Sequence, residues 1–122
     1  MAKKILVVDD EQDILELLAG RLKANNYQVL TASDGEQALE LVKSENPDLI
    51  VLDLMMPKID GLEVAKVLKS DSAYKEVPIV MLTACDQVSD LQRGVDTGIE
   101  AYVTKPFKPG ALLGIIRGLI GE

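Results

Sequence analysis

The sequence contains no histidine, no tryptophan and a single cysteine, Cys85. Without histidine there is no Ser-His-Asp triad, no imidazole metal ligand, no imidazole acid or base, and no phosphohistidine on this chain. One thiol excludes an internal disulfide and fits a reducing compartment. Positive charge is also scarce: 13 Lys and Arg stand against 20 Asp and Glu, a formal charge of −7. That balance argues against a dominant nucleic-acid role, because phosphate backbones are bound by basic faces. Long apolar runs are missing too. The longest are about four to six residues, against the roughly 20 that span a bilayer. Met1-Ala2-Lys3-Lys4 is basic, but the apolar run Ile5 to Val8 ends at once in acid, too short for a signal peptide. The expectation is a cytoplasmic protein with no membrane insertion.

What is present is an ordinary globular composition. The chain has 122 residues, 48% hydrophobic and 27% charged, enough for one domain that buries roughly two-thirds of its unfolded surface. Ile5-Leu6-Val7-Val8, Leu49-Ile50-Val51-Leu52 and Ile79-Val80-Met81-Leu82 are continuous apolar runs, as expected of strands covered on both faces. Tyr27 to Thr31 and Ile99 to Val103 are weaker strand segments, nearer the sheet edges.

Helical patterns separate these runs. Between Glu11 and Asn25, Ile14, Leu15, Leu18 and Leu22 share a face. Ser33-Asp34-Gly35-Glu36 reads as a capping box before Ala38, Leu41 and Val42, and Pro47 marks that helix's end. Asp60-Gly61-Leu62-Glu63 repeats the pattern before Val64, Val67 and Leu68. A sparser stripe of Val88, Leu91 and Val95 suggests a fourth helix over Asp86 to Val95. The fifth runs from Pro109 to Ile120, with Leu112, Leu113, Ile115, Ile116, Leu119 and Ile120 on one arc and Gly110, Gly114, Gly118 and Arg117 opposite. That Gly face reads either as a marginal helix held by its apolar side or as a smooth surface for a partner. Five strands alternating with five helices predict a three-layer α/β domain with a parallel sheet. The expected organisation is a single domain over residues 1–122 with no output domain.

Ligands of open parallel sheets sit beyond the carboxyl ends of the strands. Asp9, Asp10 and Glu11 follow the first strand, Asp53 closes the third, Thr83 closes the fourth, and Thr104-Lys105-Pro106 follow the fifth. Three crowded carboxylates demand a counterion, and oxygen ligands with waters suit Mg²⁺. A carboxylate beside a divalent cation and a lysine can accept a phosphoryl group, the cations neutralising its oxygens. Thr83 is placed to donate a hydrogen bond to one of them.

These residues carry a resemblance. Asp9-Asp10-Glu11, Asp53-Leu54-Met55-Met56-Pro57, Gly61, Thr83-Ala84 and Lys105-Pro106-Phe107 make the chain, over essentially its whole length, similar to the receiver domain of two-component response regulators. The resemblance implies a flavodoxin-like (βα)5 fold with strand order 2-1-3-4-5. It implies that Asp53 is the phosphoacceptor. Asp10 would then be the direct Mg²⁺ carboxylate, with Asp9 acting mainly through bound water and the Met55 backbone carbonyl completing the set. Lys105 would pair with Asp53 and then with the phosphoryl group. Thr83 would move toward that group, Tyr102 would change rotamer with it, and the Lys105-Pro106 peptide bond would be cis. Polar side chains two residues after Asp53 and after Thr83 help position a hydrolytic water in this family. Met55 and Cys85 are unsuited to that, so slow phosphoryl loss is expected.

Blander roles compete at each position. Asp60 reads as a helix cap, and Asp10 taken alone does so equally well. Met55 and Met56 read as packing side chains, and Cys85 as an inert small residue. Among functions, the leading expectation is a phosphoryl-accepting signalling domain, not an enzyme. Its donor would be a sensor histidine kinase or a histidine phosphotransfer protein. Its output would go to a downstream target protein or a missing output domain, with a phosphorylation-dependent homodimer as a further partner state and no direct nucleic-acid contact. The alternatives are a receiver-like module that does not turn over phosphate, a flavodoxin-like electron carrier and an aspartyl phosphatase. The carrier needs a phosphate cradle where this chain has Asp9-Asp10-Glu11-Gln12-Asp13, and the phosphatase places its two acids two residues apart.

Overall fold

The computed structural model describes residues 2–56, 59–84, 98–105 and 107–121. In chain order these form β1 (Lys4–Val8), α1 (Gln12–Ala24), β2 (Gln28–Ala32), α2 (Gly35–Glu45), β3 (Leu49–Asp53), α3 (Gly61–Lys69), β4 (Ile79–Ala84), β5 (Ala101–Lys105) and a last helix, here α4 (Pro109–Ile120). The helix expected over 86–95, Cys85 and the Lys105-Pro106 bond lie outside the described residues. Among those described, no helix is long and apolar enough to cross a membrane.

All strand pairs are parallel, in the order β2-β1-β3-β4-β5. This is the order implied by the resemblance. The continuous apolar runs lie at the centre of the sheet, where both faces are covered, and every residue of β3 is buried. Alternation along each strand divides its side chains between two cores. Leu6, Ile50, Leu52 and Met81 pack with Ala38, Val42, Val64 and Leu68 of α2 and α3. Ile5, Val7, Val51 and Leu82 pack with Leu15, Leu18, Leu22, Leu112 and Ile116 of α1 and α4.

Local signals place the helix ends, with two corrections. Asp60 caps α3 by accepting from the Glu63 N–H at 2.9 Å, as its pattern predicts. In the second helix the box sits one residue later than Ser33 and Glu36 suggest. Asp34 is still extended and is the cap, accepting from the Gln37 N–H at 2.8 Å, while the Gln37 side chain reaches back to the Ser33 N–H at 2.9 Å. Asn46, left-handed at φ 49, ends α2 just before Pro47. In α3 the inner arc is Leu62, Val64, Ala65 and Leu68, whereas Val67 is 47% exposed. At 100° per residue Val67 falls on the far arc, and the small Ala65 takes the inner position beside the sheet.

Candidate functional site

The strand alternation that builds the cores also builds the site. The row of Ile5 and Val7 continues to Asp9, that of Leu49 and Val51 to Asp53, and that of Ala101 and Val103 to Lys105. Val8 is level with Leu52, so the next residues, Asp9 and Asp53, leave β1 and β3 side by side. Ala84 is level with Lys105, two positions beyond Leu82, which pairs Asp53. A long amine is therefore needed to reach back across β4, and lysine has it.

It does reach. The Lys105 Nζ lies 3.0 Å from Asp9 Oδ2, 3.3 Å from Asp53 Oδ1 and 3.6 Å from Glu11 Oε1. Asp9 is fully buried and Asp53 is 5% exposed, so this ammonium compensates charges that water hardly touches. The second Asp9 oxygen accepts the Glu11 N–H at 2.9 Å, and the Asp9 N–H donates to the Ala32 carbonyl at 3.1 Å. Both carboxylate oxygens of Asp9 are thus engaged, and its position is held from three sides.

Asp10 is exposed, and it offers a carboxylate oxygen that lies with those of Asp9 and Asp53 within 4.8 Å of one another. A hard divalent cation fits this all-oxygen set. The residues between Asp53 and α3 fold back tightly. The Gly61 N–H donates to the Leu54 carbonyl at 2.8 Å, and a Cβ on Gly61 would overlap the Asp53 carbonyl. Glycine is therefore required where the chain passes behind the acidic site. Met55, two residues beyond Asp53, is 59% exposed.

Electrostatics follow from this packing. Burial and the charge of Asp9 push the Asp53 carboxyl up to about 7, against the opposing pull of Lys105. Burial works to lower the Lys105 pKa, but the hydrogen bond to Asp9 and the charges of Asp53 and Asp9 outweigh it and hold the ammonium above its ordinary value.

Thr83 and Tyr102 belong to the other side of the sheet. Thr83 continues the row of Ile79 and Met81, is 1% exposed and stands level with Thr104. Tyr102 stands level with Met81 and packs against the same core as Met81. The two lie on one face of adjacent strands. Glu11 has no role in the sequence reading; its only signal is its place directly after the acidic pair.

A family model described as the response regulator receiver domain matches residues 5–117. The chain belongs to that family. The receiver domain is 48% identical over 120 residues to the alkaline phosphatase synthesis transcriptional regulatory protein PhoP of Bacillus subtilis, covering 98% of this chain and 49% of that protein. It is 48% identical over 118 residues to the probable transcriptional regulator ycf27 of Porphyridium aerugineum, covering 97% of this chain and 48% of that one. The chain thus spans about half the length of these curated relatives. A putative response regulator from Chloroflexus aurantiacus superposes with a TM-score of 0.93 at 31% identity over 100% of both chains. The chemotaxis response regulator CheY4 of Vibrio cholerae superposes at 0.91 with 34% identity, over 98% of this chain and 99% of that one. The protein is a receiver domain of two-component response regulators with the flavodoxin-like fold, a signalling domain with an acidic pocket of Asp9, Asp10 and Asp53. The electron-carrier alternative is not favoured.

Proposed function

We propose that Asp53 accepts a phosphoryl group from a phosphohistidine on a sensor histidine kinase or a histidine phosphotransfer protein. The observation that carries this reading is the Lys105 ammonium, 3.3 Å from a nearly buried Asp53 carboxylate beside two further acids. In the transfer, a carboxylate oxygen of Asp53 forms a bond to phosphorus while the phosphorus–nitrogen bond of the donor breaks. The imidazole leaves with the electron pair and takes up a proton. Lys105 follows the charge onto the phosphoryl oxygens. Mg²⁺, held by Asp10, Asp53 and the Met55 carbonyl with Asp9 acting through bound water, would supply further neutralisation of those oxygens.

The acyl phosphate adds about −1.5 to −2 charges at the end of β3. In this reading Thr83, the last buried residue of its row on the neighbouring β4, turns its hydroxyl toward that group, and Tyr102, on the same sheet face as Thr83, takes the space that Thr83 leaves. The surface that the resemblance assigns to β5, α4 and the fourth helix expected over 86–95, the last outside the described residues, would then favour one of two packings, and a partner that prefers that packing reads the signal. That partner is an output domain, a downstream protein or a second copy. With its charge of −7 the receiver domain leaves nucleic-acid contact to such partners. Residues 1–122 act here as one receiver domain, and its chemistry stops at assisting its own phosphorylation and dephosphorylation rather than turning over a substrate. A reducing, Mg²⁺-containing cytoplasm suits its single thiol and acidic pocket.

The test is intact mass after incubation with Mg²⁺ and acetyl phosphate. One added phosphoryl group, absent in Asp53→Ala, is expected. No gain, together with no response to beryllofluoride, would contradict the reading.

A further inference from the structure

Lys105 has three carboxylate neighbours, and they differ in what they lose if the ammonium moves. Asp9 is fully buried and Asp53 nearly so, and an unpaired charge there is costly. Glu11, at 3.6 Å, is 61% exposed, so water replaces the ammonium easily. The Glu11 backbone is fixed, because its N–H is held by Asp9 at 2.9 Å. It sits at the N-cap of α1, yet its side chain makes no capping hydrogen bond. The carboxylate is turned instead toward Lys105. Both residues line a groove of about 420 Å³ with Ile14, Leu17 and Phe107, on the α1 side of the site.

We infer that Glu11 is a positioning residue that holds the Lys105 ammonium toward α1 and yields it when Asp53 is phosphorylated. The inference rests on Asp53 being the acceptor. An ammonium has three N–H donors; here it donates to Asp9 at 3.0 Å and lies 3.3 Å from Asp53, while Glu11 at 3.6 Å pulls on its charge as an ion pair. An arriving phosphoryl oxygen needs a donor, and the exposed arm is the cheapest to give up. Glu11 therefore acts as a brake: it competes for Lys105 in the resting state, and its own charge stands beside the incoming phosphoryl dianion.

Three variants separate contact from charge, read as the rate of mass gain from acetyl phosphate at saturating Mg²⁺. Glu11→Gln removes the competing charge and is expected to react about threefold faster, within the range of an exposed ion pair. Glu11→Asp keeps the charge but is one methylene shorter and falls short of Lys105; most of the same gain is expected. Asp13→Asn makes the same charge change on the same helix without touching Lys105, and should stay within about 1.5-fold of the parent. The Lys105 side-chain ¹³Cε signal, measured before any phosphodonor is added, should shift in both Glu11 variants and not in Asp13→Asn. Glu11→Gln at or below the parent rate, a gain matched by Asp13→Asn, Glu11→Asp at the parent rate, or an unmoved Lys105 signal would each overturn the inference. Failure of the acceptor reading itself shows separately, as a parent protein that gains no mass at all.

Discussion

At the scale of single residues, Asp53 is under opposing demands. Burial and the Asp9 charge raise its carboxyl from an ordinary 3.8 to about 7, so the folded domain retains a proton that the unfolded chain has already lost. The stability this group contributes is complete below about pH 3.8 and is lost as pH rises through about 7. Without metal, the urea midpoint should fall as pH rises from about 4 to about 7, and Asp53→Asn should flatten most of that fall and raise stability at the upper end. Lys105 is held above its ordinary 10.5, so its contribution lies beyond this window. The exposed Met55 has no group to orient an attacking water, and Met55→Asn should shorten the acyl-phosphate half-life several-fold, measured by loss of the added mass. Four site residues were legible because acids and an amine at strand ends have few bland explanations once they occur together. Glu11 was not, since a glutamate opening a helix looks like any solvated residue until its distance to Lys105 is known.

At the scale of elements, two glycines of the same composition have opposite meanings. A Cβ on Gly61 would overlap the Asp53 carbonyl, whereas one on Gly114 meets nothing within 4 Å. Gly61→Ala should destabilise the domain by about 2 kcal/mol or more, because backbone must shift behind Asp53. Gly114→Ala should stabilise it by up to about 1 kcal/mol through helix propensity. Chemical denaturation of the pair checks both signs. Periodicity located the described helices well, since buried residues recur on a 3.6 spacing. It misassigned Val67, because a stripe written from apolar letters prefers valine to the smaller Ala65 that the sheet admits. It also framed the second helix's cap one residue early. Ser33 and Asp34 are both good caps, and only the extended backbone at Asp34 decides between them.

At the scale of the whole molecule, one alternation does two jobs. Odd and even residues of the central strands fill two separate cores, and at the carboxyl ends the same rows deliver Asp9, Asp53 and Lys105 to one side and Thr83 to the other. The fold class was readable because continuous apolar runs separated by helical stripes admit few arrangements. The strand order was legible only in part: the continuous apolar runs marked β1, β3 and β4 as central and the weaker β2 and β5 as edges, while their sequence across the sheet came from the resemblance. Asp9, Asp10 and Asp53 meet at this edge, and a cation bound there, as proposed, would stabilise the folded domain by mass action. Saturating Mg²⁺ should raise Tm by several degrees, and Asp10→Asn should lose most of that rise. The most direct measurement of the central claim is reductive trapping. Borohydride converts an acyl phosphate to an alcohol, and peptide mapping after phosphorylation should find the reduced side chain at position 53 alone. Reduction at Asp9 or Asp10, or at no position in a protein that has gained the phosphoryl mass, would contradict it.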